Sequence, residues 1–146
     1  MKSYTIKNLA EMEEFASSVL ADLKSGAVLL LYGELGAGKT TFTKALAAAL
    51  GITGDVTSPT FTIFGEYTVT GHGVFTLLVH ADLYRFVDSA AATDPMIGEM
   101  LAAASLPGRL TVIEWAERLG NMAIPGAIRI SFRHGAEENT RIAEIG

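Results

Sequence analysis

The sequence contains no cysteine and no hydrophobic run of membrane-spanning length. Without cysteine there can be no disulfide framework, no thiolate metal site and no thiol nucleophile, which is compatible with a reducing cytosol. The longest apolar stretch, Ala27–Tyr32, is far shorter than the roughly 20 residues that a membrane helix requires. Residues 1–7 lack the apolar segment of a signal peptide. We therefore expect a cytoplasmic protein with no membrane partner.

Basic residues are also few. Lysine and arginine together number 11, against 16 aspartates and glutamates, and the formal net charge is -5. The basic residues are scattered along the chain. Because counterion release from nucleic acid requires clustered positive charges, this pattern disfavours direct capture of nucleic acid. A role on RNA would have to pass through a partner protein or a small local patch.

Hydrophobic residues, in contrast, are abundant, at 49% of the chain against 18% for charged residues. This composition is typical of a well-packed globule and argues against disorder. A chain of 146 residues fits one ordinary domain. We expect one domain that covers residues 1–146, with no internal repeat and no linker.

The start of the chain has the pattern of a helix followed by a strand. Asn8 and Glu11 are spaced as a capping box, and apolar residues then recur at helical spacing up to Gly26. Ala27–Tyr32 is short and continuously apolar. Such a run, followed by glycines, predicts a strand that is buried on both faces in a parallel sheet.

The middle of the chain predicts a second helix and a hairpin. Residues 39–50 are mostly strong helix formers, and Gly51 is suited to end that helix. Residues 51–59 are rich in glycine and small polar side chains and predict an exposed connection. Residues 61–69 and 74–82 flank a Thr-Gly-His-Gly turn, which predicts two antiparallel strands.

The last third of the chain predicts a helix, a buried strand and a hairpin. A cap at residues 88–89 begins a predicted alanine-rich helix that runs to about Ala104. Residues 110–115, which begin with a second apolar run at residues 110–113, predict another buried strand. Residues 127–132 and 140–145 predict a final hairpin.

Residues 33–40 match the pattern G-x-x-x-x-G-K-[ST], with Gly33, Gly38, Lys39 and Thr40 at its fixed positions. The glycines allow backbone N–H groups to turn inward around phosphate oxygens, and the next helix adds the partial positive charge of its N-terminus. Lys39 would reach the terminal phosphates, and the Thr40 hydroxyl would bind Mg²⁺. Because this P-loop pattern lies between a predicted buried strand and a predicted helix, it predicts a site for ATP with Mg²⁺.

Two carboxylates lie at the ends of predicted strands, where a P-loop protein requires an acidic side chain near its metal. Glu114 ends the apolar run that begins at residue 110, and Asp82 ends the run that begins at residue 77. A carboxylate at a strand end can reach Mg²⁺ directly or through water. We expect at least one of the two to be functional. Which one binds metal and which one orients water stays open at this point.

Three other features have weaker chemical meaning. His80, Asp82 and Tyr84 would share one face of an extended strand, where a lone histidine more often makes a structural hydrogen bond than serves as a ligand or base. Ser58-Pro59-Thr60 is by default a turn, although its hydroxyls could sense a γ-phosphate as a switch. Trp115, the single tryptophan, is expected to pack in the core or at an interface.

Four segments together closely resemble the TsaE family, the small bacterial P-loop ATPases of tRNA threonylcarbamoyladenosine biosynthesis. They are the P-loop run, V-T-S-P-T-F at residues 56–61, H-A-D-L-Y-R at residues 80–85 and I-E-W-A-E at residues 113–117. Their order and separations match over most of the chain. The resemblance implies an α/β P-loop NTPase domain whose mixed central sheet is flanked by helices. The segment between Arg85 and Leu110 departs from the family pattern, because it is alanine-rich.

The resemblance also implies a function. It predicts an ATPase that hydrolyses little by itself and works with the TsaD and TsaB proteins, which transfer threonylcarbamoyl to an adenosine next to the tRNA anticodon. ATP turnover would reset that complex between cycles. The chain would therefore meet tRNA indirectly, through the complex.

Site residues follow from the family motifs, position by position. Thr40 and Glu114 would hold Mg²⁺. The catalytic residues would be Asp82, which is important for hydrolysis, Glu114 and Lys39. Residues 58–61 correspond to a switch-like loop. The residues implied to contact the nucleotide are Gly33, Gly36, Ala37, Gly38, Lys39, Thr40, Thr41, Ser58, Thr60, Glu117 and Arg141.

Three other functions compete with this prediction. A small-molecule kinase shares the P-loop chemistry, but many such folds use an arginine-rich lid, and no arginine cluster is present. A GTPase would carry an Asn-Lys-x-Asp sequence, and no asparagine of this chain begins one. The third is a nucleotide-dependent interaction module, in which binding without hydrolysis drives assembly by population shift.

Overall fold

The structure, a computed structural model, describes residues 2–54, 56 and 63–146, and these residues form a seven-stranded sheet with three α-helices. The strands are β1 (Lys2–Ile6), β2 (Ala27–Tyr32), β3 (Phe64–Thr68), β4 (Leu77–Asp82), β5 (Arg109–Glu114), β6 (Ile128–His134) and β7 (Arg141–Ile145). The helices are α1 (Leu9–Ala21), α2 (Lys39–Ala49) and α3 (Pro95–Ala103), with 3₁₀ turns at Ala90–Thr93 and Ala116–Leu119.

The sheet is mixed, with strand order β1-β7-β6-β2-β5-β4-β3. Its four central strands, β6, β2, β5 and β4, are parallel. The outer strands β3 and β7 pair antiparallel with β4 and β6, and β1 pairs antiparallel with β7. The α/β fold with a mixed central sheet is therefore confirmed, and so are the two predicted hairpins.

Both faces of the sheet are covered, because alternate side chains of β2 enter two different hydrophobic clusters. Leu29 and Leu31 pack with residues of α1 and α2, whereas Val28 and Leu30 pack with residues of α3. Continuous hydrophobicity rather than alternation is what a parallel strand between two helical layers requires. The prediction that Ala27–Tyr32 is buried on both faces is confirmed.

Helix α1 begins as the sequence predicts but ends sooner. The Asn8 side chain accepts a hydrogen bond from the Glu11 N–H at 2.8 Å, and the Glu11 carboxylate accepts one from the Lys7 N–H at 2.9 Å. The helix ends at Ala21 instead of continuing to Gly26. Aspartate, serine and glycine after Ala21 are weak helix formers, and the Gly26 N–H donates to the Arg109 carbonyl at 2.9 Å, which turns the chain into the sheet.

The helix predicted from residue 88 to Ala104 is wrong in its first half. A 3₁₀ turn occupies Ala90–Thr93, and α3 begins only at Pro95, after Asp94. The ring of Pro95 disfavours helical backbone in Asp94, which is extended at φ -73° and ψ 128°. The Asp94 side chain caps α3 by accepting hydrogen bonds from the N–H groups of Met96 at 2.9 Å and Ile97 at 3.2 Å.

Several strand limits also differ from the prediction. Strand β1 was not predicted, and β4 begins at Leu77 rather than at residue 74. Strand β3 spans Phe64–Thr68, while residues 61–62 of that predicted strand lie outside the described residues. Strand β5 ends at Glu114, and Trp115 already has a positive φ. Among the described residues, no helix is long and apolar enough to cross a membrane.

Candidate functional site

The candidate site lies at the edge where the parallel strands end. Strand β2 ends at Tyr32 and leads into residues 33–38, which we call the glycine loop. In the sheet register Glu114, the last residue of β5, lies between Leu31 of β2 and Asp82, the last residue of β4. Ligands of open α/β sheets bind outside the carboxyl ends of their strands. The fold therefore brings the glycine loop and both candidate carboxylates to one place.

Two positions of the glycine loop require glycine. Gly33 has φ +142°, and a Cβ there would collide with the carbonyl oxygen of Phe132. Gly38 precedes α2 with φ +119° and, as a glycine, has no side chain with which to cap this helix. The first N–H groups of α2 therefore receive no hydrogen bond from the N-cap residue, at the helix end that favours negative charge. The geometry suits an anion placed against the loop.

Lys39 is buried against this loop, with 4% of its surface exposed. Its Nζ donates to the Gly33 carbonyl and, at 3.2 Å, to the Glu34 carbonyl. The same atom lies 3.9 Å from the centroid of the Trp115 ring, in a cation–π contact. Burial lowers the pKa of Lys39 below its usual value, while nearby carboxylates, Glu117 first among them, act in the opposite direction.

Glu114 is almost completely buried, at 1% exposure, and its two oxygens have different partners. Oε1 accepts a hydrogen bond from the Thr40 hydroxyl at 2.8 Å. Oε2 lies 2.6 Å from Nε2 of His80 and 3.3 Å from the Thr43 hydroxyl. A buried carboxylate is tolerated only when it is paired or hydrogen-bonded, and these contacts meet that need.

Asp82 is half-buried beside this pair. Its Oδ1 accepts a hydrogen bond from the backbone N–H of Tyr84 at 3.0 Å, which fixes the turn after β4. The side chain lines a cavity of about 220 Å³, which we call the carboxylate cavity. The other lining residues include Gly36, Gly38, Lys39, Thr40, Thr41, Glu114 and Trp115.

A second cavity, of about 370 Å³, adjoins the glycine loop next to the β1–α1 junction, and we call it the N-terminal cavity. Gly36, Gly38 and Thr41 line both cavities, so the two spaces meet across the loop and the start of α2. The other lining residues of the N-terminal cavity are Ile6, Lys7, Asn8, Leu9, Met12, Asn139 and Arg141.

Two predicted nucleotide contacts, Glu117 and Arg141, hold the backbone of the glycine loop. Glu117 accepts a hydrogen bond from the Gly33 N–H at 2.9 Å. Arg141 donates from Nε to the Gly36 carbonyl at 3.1 Å, and from Nη1 to the Glu138 carbonyl at 2.9 Å. Glu117 thus restrains the start of the loop and Arg141 restrains its middle, although both residues are distant from the loop in the sequence.

Trp115, which the sequence predicts to pack in the core or at an interface, is half-buried and packs against the core. Its backbone is left-handed, at φ 57° and ψ 44°, a conformation that costs a non-glycine residue roughly 1–2 kcal/mol. This turn directs the ring to Tyr84, with 5.0 Å between the ring centroids, and to Lys39. The tryptophan forms a wall of the carboxylate cavity while its ring also packs against the α3 side of the core.

The structure brings together most of the predicted site residues. Lys39, Thr40, Asp82 and Glu114 line one cavity, with Gly36, Gly38 and Thr41, while Ala37 is buried within the loop. Ser58 and Thr60 lie outside the described residues. Sequence reasoning missed Thr43, although its position three residues after Thr40 places both on one helix face. It also missed the N-terminal cavity, for which no local pattern gives a signal.

The donor set is suited to Mg²⁺. The Thr40 hydroxyl and the Glu114 carboxylate are adjacent oxygen donors, and the Asp82 carboxylate lines the same cavity. In the part of the chain that the structure describes, no group of three or more His, Cys, Asp or Glu side chains could hold a metal without other ligands. Mg²⁺ is commonly bound by one or two carboxylates together with water and substrate phosphates, so these residues fit it.

Comparison with known proteins gives one consistent family. Residues 6–143 match the family described as threonylcarbamoyl adenosine biosynthesis protein TsaE. A Treponema pallidum protein named tRNA threonylcarbamoyladenosine biosynthesis protein TsaE is 38% identical over 120 residues, which is 82% of each chain. A Bacillus subtilis protein of the same name is 36% identical over 135 residues, or 92% of this chain and 79% of that protein.

The fold is also similar to that of a solved structure. The crystal structure of YdiB from Bacillus subtilis superposes with a TM-score of 0.70 at 28% sequence identity. The superposition covers 97% of this chain and 82% of that one. Sequence and architecture therefore agree over nearly the whole chain.

Proposed function

This chain belongs to the TsaE family, which takes part in tRNA threonylcarbamoyladenosine biosynthesis, and from that premise we propose that it is an Mg²⁺-dependent ATP-binding protein and a weak ATPase. The observation that carries the proposal is the 2.8 Å contact between Thr40 and Glu114 beside the glycine loop. It joins a hydroxyl at the start of α2 to a carboxylate at the end of a neighbouring strand. P-loop NTPases hold Mg²⁺ with this pair of groups.

Phosphate binding is supported by the glycine loop and Lys39. The loop presents backbone N–H groups at the N-terminus of α2, where the helix dipole favours anions. Lys39 donates to carbonyls of the loop, and phosphate oxygens would be stronger acceptors for its ammonium than those carbonyls. The Glu117 and Arg141 contacts restrain the loop from two sides, so that less conformational freedom is lost when a ligand binds.

Glu114 and Asp82 have different surroundings, which supports different roles. Glu114 is buried and bonded to Thr40, as a metal-holding group would be, and the metal would neutralise charge on the phosphates. Asp82 is half-buried, and Oδ1 is the oxygen that accepts the hydrogen bond from Tyr84 in the turn. Its second oxygen is suited to orient a water molecule, or to accept its proton, in the carboxylate cavity.

The rest of the nucleotide has space in the N-terminal cavity. This cavity shares Gly36, Gly38 and Thr41 with the carboxylate cavity, so one ligand can extend from one into the other. Met12, Ile6 and Leu9 supply apolar surface, and the two asparagines of the lining supply hydrogen-bonding groups. A flat apolar wall with a few polar groups is the usual environment of a nucleotide base.

The biological setting that we propose is a complex. The family acts in the modification of tRNA, and the net charge of -5 makes direct tRNA capture by this chain unfavourable. Partners of the TsaD and TsaB type would supply the tRNA contact and the transfer chemistry, and ATP turnover in the complex would reset it. The kinase and GTPase alternatives gain no support from the site.

Titration calorimetry tests the binding half of the proposal. A non-hydrolysable ATP analogue should bind with a stoichiometry of about one, and Mg²⁺ should strengthen that binding. The GTP analogue serves as the matched control and should bind more weakly. Absence of heat with the ATP analogue, or an affinity that Mg²⁺ does not change, would contradict the assignment.

A further inference from the structure

The side chain of His80, on the neighbouring strand, contacts the carboxylate of Glu114. The proposed function gives His80 no role. His80 lies on β4, next to β5, and is 1% exposed. Its Nε2 is 2.6 Å from Oε2 of Glu114. The other ring nitrogen, Nδ1, is buried and has no hydrogen-bond partner among the described residues. Within the described part of the chain, the imidazole thus has one polar contact, and that contact is Glu114.

Hydrogen-bond chemistry makes His80 the principal donor to Oε2. As a metal ligand Glu114 would be an ionised carboxylate, which only accepts hydrogen bonds, so Nε2 of His80 would carry the hydrogen. The nearby Thr43 hydroxyl has a single hydrogen, and the Lys39 carbonyl competes for it at 3.0 Å against 3.3 Å for Oε2. Oε2 is therefore engaged by a buried ring, whereas Oε1 contacts the Thr40 hydroxyl beside the carboxylate cavity.

This asymmetry limits what Glu114 can offer to a cation. Because Oε2 faces the buried groups of His80 and Thr43, Oε1 is the oxygen that lies beside Thr40, and the carboxylate is placed to serve as a one-oxygen ligand. Mg²⁺ requires six ligands in a small octahedron and keeps several waters, whereas Ca²⁺ takes six to eight oxygens and often both oxygens of a carboxylate. A glutamate that presents one oxygen to the cation suits the smaller ion.

We propose that His80 is a positioning residue that holds Glu114 as a one-oxygen ligand and thereby favours Mg²⁺ over Ca²⁺ at the nucleotide site. This inference rests on the proposed function, because it assumes that Glu114 faces a cation bound with the nucleotide. It assigns His80 a role through Glu114, without direct contact to metal or nucleotide. Contacts of this kind, behind a metal ligand, commonly change metal affinity by about 10- to 100-fold.

The test measures ADP affinity by calorimetry in Mg²⁺, in Ca²⁺ and in a chelator, for the wild type and two variants. His80→Leu removes the donor at similar volume, and His80→Gln keeps an N–H that can reach Oε2. We expect His80→Leu to lose at least about tenfold in the Mg²⁺-supported affinity and less in the Ca²⁺-supported affinity. Its affinity in chelator should stay unchanged. His80→Gln should restore most of the preference for Mg²⁺.

The outcomes separate this inference from the function on which it rests. If the wild type binds ADP with Mg²⁺ but His80→Leu keeps the same Mg²⁺-to-Ca²⁺ affinity ratio, the role of His80 is wrong and the proposed function stands. If the wild type shows no metal-dependent binding, both fail together. Circular dichroism checks that each variant is folded. Should His80→Leu not fold, His80→Asn, whose shorter amide cannot reach Oε2, takes its place with the same expectation.

Discussion

Lys39 joins three elements of the site through one side chain. Its ammonium donates to two carbonyls of the glycine loop and lies over the Trp115 ring, while its backbone begins α2. Burial disfavours the charged form, which the lowered pKa reflects. A phosphate would supply the counter-charge that the carbonyls and the ring supply only in part.

Replacement of Lys39 by alanine should therefore weaken ATP binding strongly. Hydrogen bonds to charged groups contribute about 1.5–3 kcal/mol, so Lys39→Ala should lower the affinity by about 10- to 100-fold. Calorimetry with the ATP analogue and Mg²⁺ measures the change. Lys44→Ala, on the exposed face of the same helix, is the matched control and should bind like the wild type. Equal affinities for the two variants would remove Lys39 from the site.

Asp82 is predicted to act on hydrolysis and not on binding. In Asp82→Asn the amide oxygen can still accept from the Tyr84 N–H, so the turn is kept while the negative charge is lost. Nucleotide affinity should change little, and turnover in the reconstituted complex should fall by about 10²- to 10⁴-fold, the usual contribution of a general base.

The control for Asp82 is a second aspartate with an exposed side chain. Asp88→Asn removes one negative charge at a position where φ is 51° and asparagine is well tolerated. It should keep normal turnover. Hydrolysis at the wild-type rate in Asp82→Asn would leave the water-orienting role to another residue.

At the residue scale the sequence predicted where the candidate site residues lie better than which contacts they make. The P-loop pattern singled out Lys39 and Thr40, and the ends of two apolar runs singled out Glu114 and Asp82. The contacts of His80 with Glu114 and of Arg141 with Gly36 were not predictable in detail. Both depend on strand register and on which strands are neighbours, and neither is encoded in a local pattern.

Among the elements, α3 shows how a single proline divides a helix-forming segment. Residues 90–104 are rich in alanine, yet Pro95 allows a helix only from its own position onward. Proline at the first helical position needs no N–H bond, and the residue before it prefers extended backbone. Asp94 then supplies the cap.

A stability measurement distinguishes the observed cap from the expected one. Asp94→Ala removes two accepted hydrogen bonds and should lower the free energy of unfolding by about 1 kcal/mol. Ser89→Ala, at the predicted start where no side-chain cap bond exists, should change it by much less. Urea denaturation of both variants gives the comparison. A larger loss for Ser89→Ala would show that the helix begins where the sequence suggested.

The elements that the sequence predicted are those with strong local signals. Ala27–Tyr32 is continuously apolar, residues 110–113 are mostly apolar, and each hairpin has turn residues between its two strands. Strand β1 was not predicted because four of its five residues are exposed or only half-buried at the sheet edge. It is ordered by pairing with β7, which follows it by more than 130 residues, so its stability comes from tertiary contact and not from its own pattern.

On the scale of the whole molecule, the net charge of the chain disfavours direct binding of tRNA. With a net charge of -5 the isolated chain should not retard tRNA in a gel at physiological salt. A lysine-rich tRNA-binding protein in the same gel is the positive control. Tight retardation by this chain alone would mean that a local basic surface contacts RNA directly, against the partner-mediated role that we propose.

The same scale explains why the site is distributed along the sequence. The order β6-β2-β5-β4 places the ends of β2, β5 and β4 side by side, although Thr40 and Glu114 are 74 residues apart. The parallel core with its P-loop could be predicted from the apolar runs and the glycine pattern. The contributions of β7 and of the β1–α1 junction to the N-terminal cavity could not be predicted, because they arise only when β7 and β1 pair at one edge of the sheet.

The most direct test of the central claim is the ATP turnover of the chain measured alone and with TsaD and TsaB proteins. We predict slow hydrolysis alone, a marked increase when both partners are present with Mg²⁺, and association with the partners that depends on ATP. The Lys39→Ala variant should show neither the increase in turnover nor the ATP-dependent association. Association without any increase in turnover would contradict the ATPase and indicate an assembly module, and no association together with unchanged turnover would contradict the proposed function as a whole.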